Sequence, residues 1–108
     1  MRRIAKYLFL SVAAVGISVS AAQAQSWCKR TNLNDAEQAI CDTPRLSALD
    51  GQMNAQYFAL SKSLRRRARR NLRSDQRYWL RNIRNTCGYD IACLIGAYED
   101  RMYELDQY

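Results

Sequence analysis

The chain has 108 residues, enough for at most one domain, with 17 basic and 10 acidic residues and no histidine. The absence of histidine removes the side chain that most often transfers protons near neutral pH, and it removes a common zinc ligand. The carboxylates are scattered and form no catalytic motif. We therefore predict that the protein is not an enzyme and has no metal site and no cofactor.

The first 24 residues have the three parts of a secretory signal peptide. An apolar run of about 13 residues is followed by the small-x-small cleavage site Ala22-Gln23-Ala24. An uncleaved membrane anchor is the alternative, but a bilayer span needs roughly 20 apolar residues. The basic residues of the n-region are Arg2, Arg3 and Lys6. We predict that residues 1–24 are removed and that residues 25–108 form one periplasmic or secreted domain.

Removal of this leader changes the charge balance. Residues 25–108 keep 14 basic against 10 acidic residues, a net charge of +4. This excess is moderate, and it does not predict nucleic-acid binding.

Four cysteines lie in the mature part: Cys28, Cys41, Cys87 and Cys93. An even number in a short exported chain predicts two disulfides. A zinc site is the alternative, but zinc-binding cysteines usually come two to four residues apart, whereas 12 and 5 residues separate the neighbours here. We favour the local pairs Cys28–Cys41 and Cys87–Cys93. A crossed pairing stays open, because a disulfide that closes a longer loop would stabilise the folded protein more.

Helical periodicity dominates the mature part, and no alternating strand pattern occurs. Asn34 and Glu37 form a capping box that opens a short first helix. Thr43 and Pro44 open a second helix as N-cap and first residue. The apolar stripe of this second helix is Leu46, Leu49, Met53, Tyr57, Leu60 and Leu64.

No glycine or proline marks the boundary between the second and third helices. One helix over residues 44–86 would be about 65 Å long and would have no partner for its apolar face, so we predict a reversal between Lys62 and Arg67. Gly88 ends the third helix, and Asp90 caps the fourth. The third stripe is Ala68, Leu72, Trp79, Leu80, Ile83 and Cys87, and the fourth is Ile91, Leu94, Ile95, Tyr98, Met102 and Leu105. The predicted fold is all-α, a small disulfide-stapled bundle of three to four helices arranged as helical hairpins.

Several short patterns follow one another along the mature chain. They are Cys28, Glu37-x-x-Ile40-Cys41, Leu46-x-x-Leu49-Asp50, Tyr57, Gln76-Arg77-x-Trp79-Leu80, Cys87, Cys93-Leu94 and Tyr98-x-x-Arg101. This ordered set, from Trp27 to about Leu105, resembles the lysozyme inhibitor LprI-like domain family, named for a lipoprotein that inhibits lysozyme. The resemblance implies a small exported binding protein. Cys28 lacks the preceding small residues of a lipidation site, so we expect no lipid anchor.

The resemblance also implies a partner, a lysozyme or a related peptidoglycan hydrolase blocked at its cleft. C-type lysozymes are strongly basic and the mature chain is basic too, so the net charges repel. Inhibition therefore needs a local acidic or apolar patch. Carboxylates concentrate on the fourth helix and just before it: Asp90, Glu99, Asp100, Glu104 and Asp106.

An arginine cluster precedes and opens the third helix, where positive charge opposes the helix dipole. Its members are Arg65, Arg66, Arg67, Arg69 and Arg70, and Arg73 and Arg77 extend it. A solvated surface is one interpretation. The other is an anion-binding surface, which makes an envelope adaptor or stabilising protein, docked on anionic lipid or polysaccharide, the second functional hypothesis. Nucleic acid is not expected, because no aromatic residues interleave the cluster.

A binding role is the alternative for the polar motif residues, but the polar and aromatic ones are interpreted as structural: Asp50, Gln76, Arg77, Trp79, Tyr98 and Arg101. We predict that Asp50 pairs with an arginine of the third or fourth helix. Tyr57, Trp79 and Tyr98 fall on apolar stripes, which favours core packing over a sugar-binding platform. Four further tyrosines are expected at the surface: Tyr78, Tyr89, Tyr103 and Tyr108.

Overall fold

The computed structural model describes residues 25–108, and the predicted leader over residues 1–24 lies outside this part. The described residues form helices and turns without a β-strand, which confirms the all-α prediction. The α-helices are α1 (Asp35–Asp42), α2 (Pro44–Ser63), α3 (Arg66–Trp79) and α4 (Ile91–Asp106). A 3₁₀ turn at Ser26–Lys29 precedes them, and a π-helical turn at Leu80–Arg84 and a 3₁₀ turn at Asn85–Cys87 join α3 to α4. No described helix combines the length and apolar character of a membrane span.

The first two helices begin where the capping residues predict. The Asn34 side chain accepts a hydrogen bond from the Glu37 N–H at 2.8 Å, and the Glu37 carboxylate accepts one from the Asn34 N–H at 3.0 Å. This reciprocal pair confirms the capping box of α1. Pro44 is the first residue of α2 as predicted, but the side chain of Thr43 makes no capping hydrogen bond.

The later helix boundaries are confirmed as well. Leu64 and Arg65 separate α2 from α3, inside the predicted interval of residues 62–67. Gly88 adopts φ +60°, a conformation that favours glycine, and ends the helical segment after α3. Asp90 caps α4 by accepting a hydrogen bond from the Cys93 N–H at 3.0 Å.

The three longer helices form an up-down-up bundle. Contacts between α2 and α4 advance together along both helices, from Asp50–Tyr98 to Gln56–Met102, so these two helices run in the same direction. Contacts between the α3 segment and α4 run oppositely, since Gln76 meets Arg101 whereas the ring of Trp79 packs edge-on against Tyr98 at 5.3 Å. The buried core comprises Ala36, Ala39 and Ile40 of α1, Leu46 and Met53 of α2, Leu72 and Trp79 of α3, and Leu94, Ala97, Tyr98 and Leu105 of α4.

Two disulfides tie the shorter elements to this bundle. Cys28–Cys41 joins the first 3₁₀ turn to the last turn of α1, and Cys87–Cys93 joins the end of the α3 segment to the first turn of α4. The favoured local pairing is therefore confirmed, and the described residues contain no free cysteine.

The π-helical turn after α3 overturns one predicted core position. The helical repeat predicts Ile83 on the apolar stripe, four residues after Trp79, but its side chain is 42% exposed. A π-helical turn adds one residue to the repeat, so the inward position after Trp79 comes five residues later, at Arg84, which is 6% exposed.

Ile91 is a second incorrect core prediction, with 37% of its surface exposed. It is the first residue of α4 and lies roughly 60° around the helix from the mean direction of the buried positions, at 100° per residue. The buried line of α4 instead follows Leu94, Ala97, Tyr98, Arg101 and Leu105.

Candidate functional site

The outer surface of α4 is acidic. Glu99, Asp100 and Asp106 are exposed and fall within about a third of the helix circumference; these three residues are called the acidic face. Tyr103, 68% exposed, lies among them. Arg101 is the sole basic residue of α4, and it is buried at 5% exposure. The acidic face is thus a local region of negative charge on a domain whose net charge is positive.

The three carboxylates of the acidic face have at most one weak ion pair among the described residues. Glu99 lies 3.7 Å from Arg45, but both side chains are more than half exposed, so solvent screens the pair. Glu104 accepts a hydrogen bond from Arg101 at 3.0 Å. Asp100 and Asp106 take part in no ion pair among residues 25–108. The acidic face is therefore accessible to a cationic partner.

The outer surface of α3 carries the opposite charge. Four exposed residues repeat at steps of four, three and four and fall within about 60° of one another: Arg66, Arg70, Arg73 and Arg77. This set is called the arginine row. No ion pair among residues 25–108 involves it. Asp75, the sole acidic residue of α3, lies about 170° away on the helix and accepts a hydrogen bond from the Tyr108 hydroxyl at 2.7 Å.

Arg69 is set apart from the other arginines of the cluster. Its side chain is half-buried and donates to the carbonyl oxygens of Ser61 at 2.9 Å and Leu64 at 2.6 Å. Ser61 lies in the last turn of α2 and Leu64 directly follows that helix, at an end where the carbonyl groups lack partners within the helix. Arg69 therefore holds the α2–α3 turn together, whereas Arg65 and Arg67 are exposed.

A buried polar network lies at the centre of the bundle. Tyr98 donates to Asp50 at 2.8 Å, and Asn54 donates to the other Asp50 oxygen at 3.1 Å. Arg84 lies 4.0 Å from Asp50 and 3.5 Å from Glu37. The predicted pairing of Asp50 with an arginine of the third helical segment is thus found, and the sequence pattern missed Arg84 itself because a regular α-helix would point it outward.

Burial sets the protonation behaviour of this network. Desolvation raises the pKa of the Asp50 carboxyl above its usual 3.8, against the smaller opposing effects of Tyr98 and Arg84. Desolvation and the Asp50 carboxylate raise the pKa of the Tyr98 hydroxyl well above its usual range, so that Tyr98 remains a hydrogen-bond donor. Asp50 is 2% exposed, and a substrate has no access to it.

A second buried contact involves the other polar motif residues. Arg101 donates from Nε to Gln76 Oε1 at 2.9 Å, and Gln76 donates to the sulfur of Met53 at 3.0 Å. This chain links α4, α3 and α2 in one layer of the core. Arg77 lies outside it, exposed on the arginine row, so the structural role of Arg77 stays a prediction.

The aromatic residues divide as predicted. Trp79 and Tyr98 are buried, with 3% and 0% exposure, and Tyr57 is half-buried against the core. The exposed tyrosines are Tyr78, Tyr89, Tyr103 and Tyr108. In the part of the chain that the structure describes, no group of three or more cysteine and carboxylate side chains is arranged to hold a metal ion.

This fold and this pair of disulfides define a class of small, all-helical, disulfide-bonded proteins. The model of the family described as lysozyme inhibitor LprI matches residues 28–105, which is most of the chain. The protein therefore belongs to the LprI lysozyme inhibitor family. Comparison with curated proteins and with solved structures gave no match.

Proposed function

We propose that this protein is a non-enzymatic inhibitor of lysozyme or a related peptidoglycan hydrolase, which it blocks by covering the substrate cleft. Family membership over residues 28–105 is the observation that carries this proposal. The acidic face supports it, because a basic enzyme that is repelled by the net charge still finds local attraction there. The two disulfides tie the helical backbone that carries this face, so binding has to order mainly its exposed side chains.

A lysozyme turbidity assay tests this function. The protein is expressed with its own leader, purified after export and titrated against a basic c-type lysozyme. Stoichiometric inhibition is expected, and the triple variant Glu99→Gln, Asp100→Asn, Asp106→Asn should inhibit about tenfold less well because it loses the charges that attract the enzyme.

The matched control neutralises the arginine row instead. The variant Arg66→Gln, Arg70→Gln, Arg73→Gln removes three charges from a different helix and should inhibit as well as wild type, or better, because repulsion is reduced. If the wild-type protein leaves c-type lysozyme and a panel of peptidoglycan hydrolases fully active, the proposed function is wrong.

We further propose that residues 1–24 are removed during export and that the mature protein is periplasmic or secreted. The two disulfides support an oxidising compartment. Intact-mass analysis of the exported protein should give a chain that begins at Gln25 and lacks four hydrogens. Retention of the leader, or alkylation of a cysteine without prior reduction, would contradict this.

The arginine row supports a second candidate, an envelope adaptor that docks on anionic lipid or polysaccharide. Its four side chains point into solvent on one side of α3 and share no ion pair among the described residues. Each such cation contributes about 1 kcal/mol near an anionic bilayer. Co-sedimentation with phosphatidylglycerol vesicles should then fall steeply between 50 and 500 mM salt, where the screening length drops from about 14 Å to about 4 Å. Equal sedimentation of wild type and the arginine-row variant would exclude this candidate.

A further inference from the structure

A shallow groove runs between α4 and the two turns that precede it, the π-helical turn and the 3₁₀ turn at Asn85–Cys87. Its volume is about 390 Å³. Its lining is small or apolar apart from a few polar groups, with a single charged residue. The residues that form it are Asn82, Ile83 and Thr86 on one side, Ala92, Gly96, Ala97 and Asp100 on α4, and the disulfide of Cys87 and Cys93.

The π-helical turn creates this groove by turning Ile83 out of the core. The 42% exposed side chain of Ile83 supplies an apolar wall. Opposite it, Ala92, Gly96 and Asp100 repeat at intervals of four and therefore lie on one line along α4. Nothing lies within 4 Å of the position that a Cβ of Gly96 would occupy, so the middle of the groove is open.

The chemistry of the groove changes along its length. Apolar and small side chains surround its middle, and the Asp100 carboxylate, which has no ion-pair partner among residues 25–108, lies one helical turn beyond Gly96. An arginine or lysine side chain has the matching shape, because its methylene stem covers apolar surface while its cationic end stays solvated or paired. Arginine and lysine are abundant on basic lytic enzymes.

We propose that this groove holds an arginine or lysine side chain from the surface of the inhibited enzyme, with its stem against Ile83 and Gly96 and its cation at Asp100. This inference rests on the proposed inhibitory function and names the part of the surface that recognises the enzyme. The acidic face then acts in two ways: Asp100 makes a direct contact, and Asp106 contributes only long-range attraction.

Filling the groove tests the proposal. Gly96→Leu places a side chain in the open middle, where the added Cβ meets no atom, and the substitution favours helix. It should weaken inhibition of c-type lysozyme at least about tenfold, as loss of a central anchor does. Gly51→Leu is the matched control, since Gly51 is also helical and exposed with open space at its Cβ position, and it should inhibit within about twofold of wild type.

Removing the carboxylate tests the charged end. Asp100→Asn should weaken inhibition about fivefold, whereas Asp106→Asn, on the same helix, should change it by less than about twofold. Far-UV circular dichroism and thiol titration of each variant show whether fold and disulfides are retained. Equal inhibition by Gly96→Leu and wild type would overturn the groove assignment while leaving the inhibitory function intact.

A second measurement does not depend on the enzyme. The end-capped tripeptide Gly-Arg-Gly, at millimolar concentration, should shift the backbone amide NMR signals of Ala92 and Gly96 in the wild-type protein and not in Gly96→Leu, whereas Gly-Glu-Gly should shift neither. If lysozyme is not inhibited but these shifts occur, the inhibitory function fails and the cation groove stands. If the Gly-Arg-Gly peptide causes no shift, the groove does not bind a target cation. The proposal is also wrong if the wild-type protein forms a dimer that Gly96→Leu disrupts, because the groove is then an interface between two copies of this chain.

Discussion

Replacement of Arg84 by alanine tests whether the π-helical turn places a structural cation inside the bundle. The Arg84 side chain lies 4.0 Å from Asp50 and 3.5 Å from Glu37, and its guanidinium carbon lies 5.8 Å from the centre of the Trp27 ring. The two carboxylates differ in what they lose. The Glu37 side chain is 17% exposed and keeps Arg30 at 3.3 Å, whereas the Asp50 side chain is 2% exposed and has no second cation among residues 25–108.

The expected cost follows from these contacts. Leaving a buried carboxylate without its cation costs about 3–5 kcal/mol. Loss of the contact with the Trp27 ring adds about 0.5–1 kcal/mol, and the partly exposed Glu37 pair adds less than about 1 kcal/mol. Tyr98 and Asn54 still donate to Asp50, which favours the low end of the range. We predict a loss of about 3–4 kcal/mol at pH 7, a large part of the roughly 5–15 kcal/mol of a small domain.

Urea denaturation followed by far-UV circular dichroism measures this loss. Arg81→Ala is the matched control in the same π-helical turn, and because Arg81 is exposed its replacement should cost less than about 0.5 kcal/mol. Arg84→Lys keeps the charge and should fall between wild type and Arg84→Ala, which provides a measurable variant if the alanine protein does not fold. A loss below about 1 kcal/mol for Arg84→Ala, or an equal loss for Arg81→Ala, would refute the inward position of Arg84.

Three further predictions concern stability. Trp79→Ala should cost about 3–5 kcal/mol, because Trp79 is 3% exposed in the core, and a variant that melts within a few degrees of wild type would contradict this. Burial raises the pKa of Asp50 in the folded protein above 3.8, so the folded protein keeps the Asp50 proton up to a higher pH than the unfolded chain does. The contribution of Asp50 to the free energy of unfolding therefore falls as the pH rises from 3.8 through the raised pKa. The Asp50→Asn variant has no group that titrates at this position, so its free energy of unfolding should rise relative to that of wild type between pH 3 and pH 7. A difference between the two proteins that stays constant over this range would disprove the raised pKa of Asp50. Arg69→Gln should lower the free energy of unfolding by about 1–2 kcal/mol, because it removes two hydrogen bonds to carbonyl oxygens at the end of α2. Arg70→Gln is the exposed control and should change this free energy little. Equal losses in the two variants would show that Arg69 does not cap α2.

Local sequence signals predicted the helices well because each depends on neighbouring residues alone. The Asn34–Glu37 capping box and the Asp90 cap need contacts only three residues apart, and Gly88 needs only its own backbone freedom. The apolar stripe of α2 predicted its direction toward the core for the same reason. The arginine cluster predicted a charged surface, and the carboxylates near the end of the chain predicted an acidic one.

The positions that the pattern missed share a different cause. Ile83 is exposed and Arg84 is buried because a π-helical turn shifts the helical repeat by one residue. The residues from 80 to 84 contain no sequence signal that predicts this turn. Arg69 differs from the other arginines of the cluster because its two acceptors, the carbonyl oxygens of Ser61 and Leu64, come within reach only after the chain has reversed. Both outcomes depend on contacts between segments.

The sequence by itself thus determined the helical class and most helix boundaries, and it favoured the local disulfide pairs without excluding a crossed pairing. Tertiary structure alone decided which polar residues lie inside: Arg84 beside Asp50, and Arg101 beside Gln76. It also decided that the acidic face and the arginine row belong to separate helices, and that Ile83 faces a groove. The physical reason is that capping and periodicity act within a few residues, whereas the burial of a charge depends on which opposite charge or hydrogen-bond acceptor another helix brings to it.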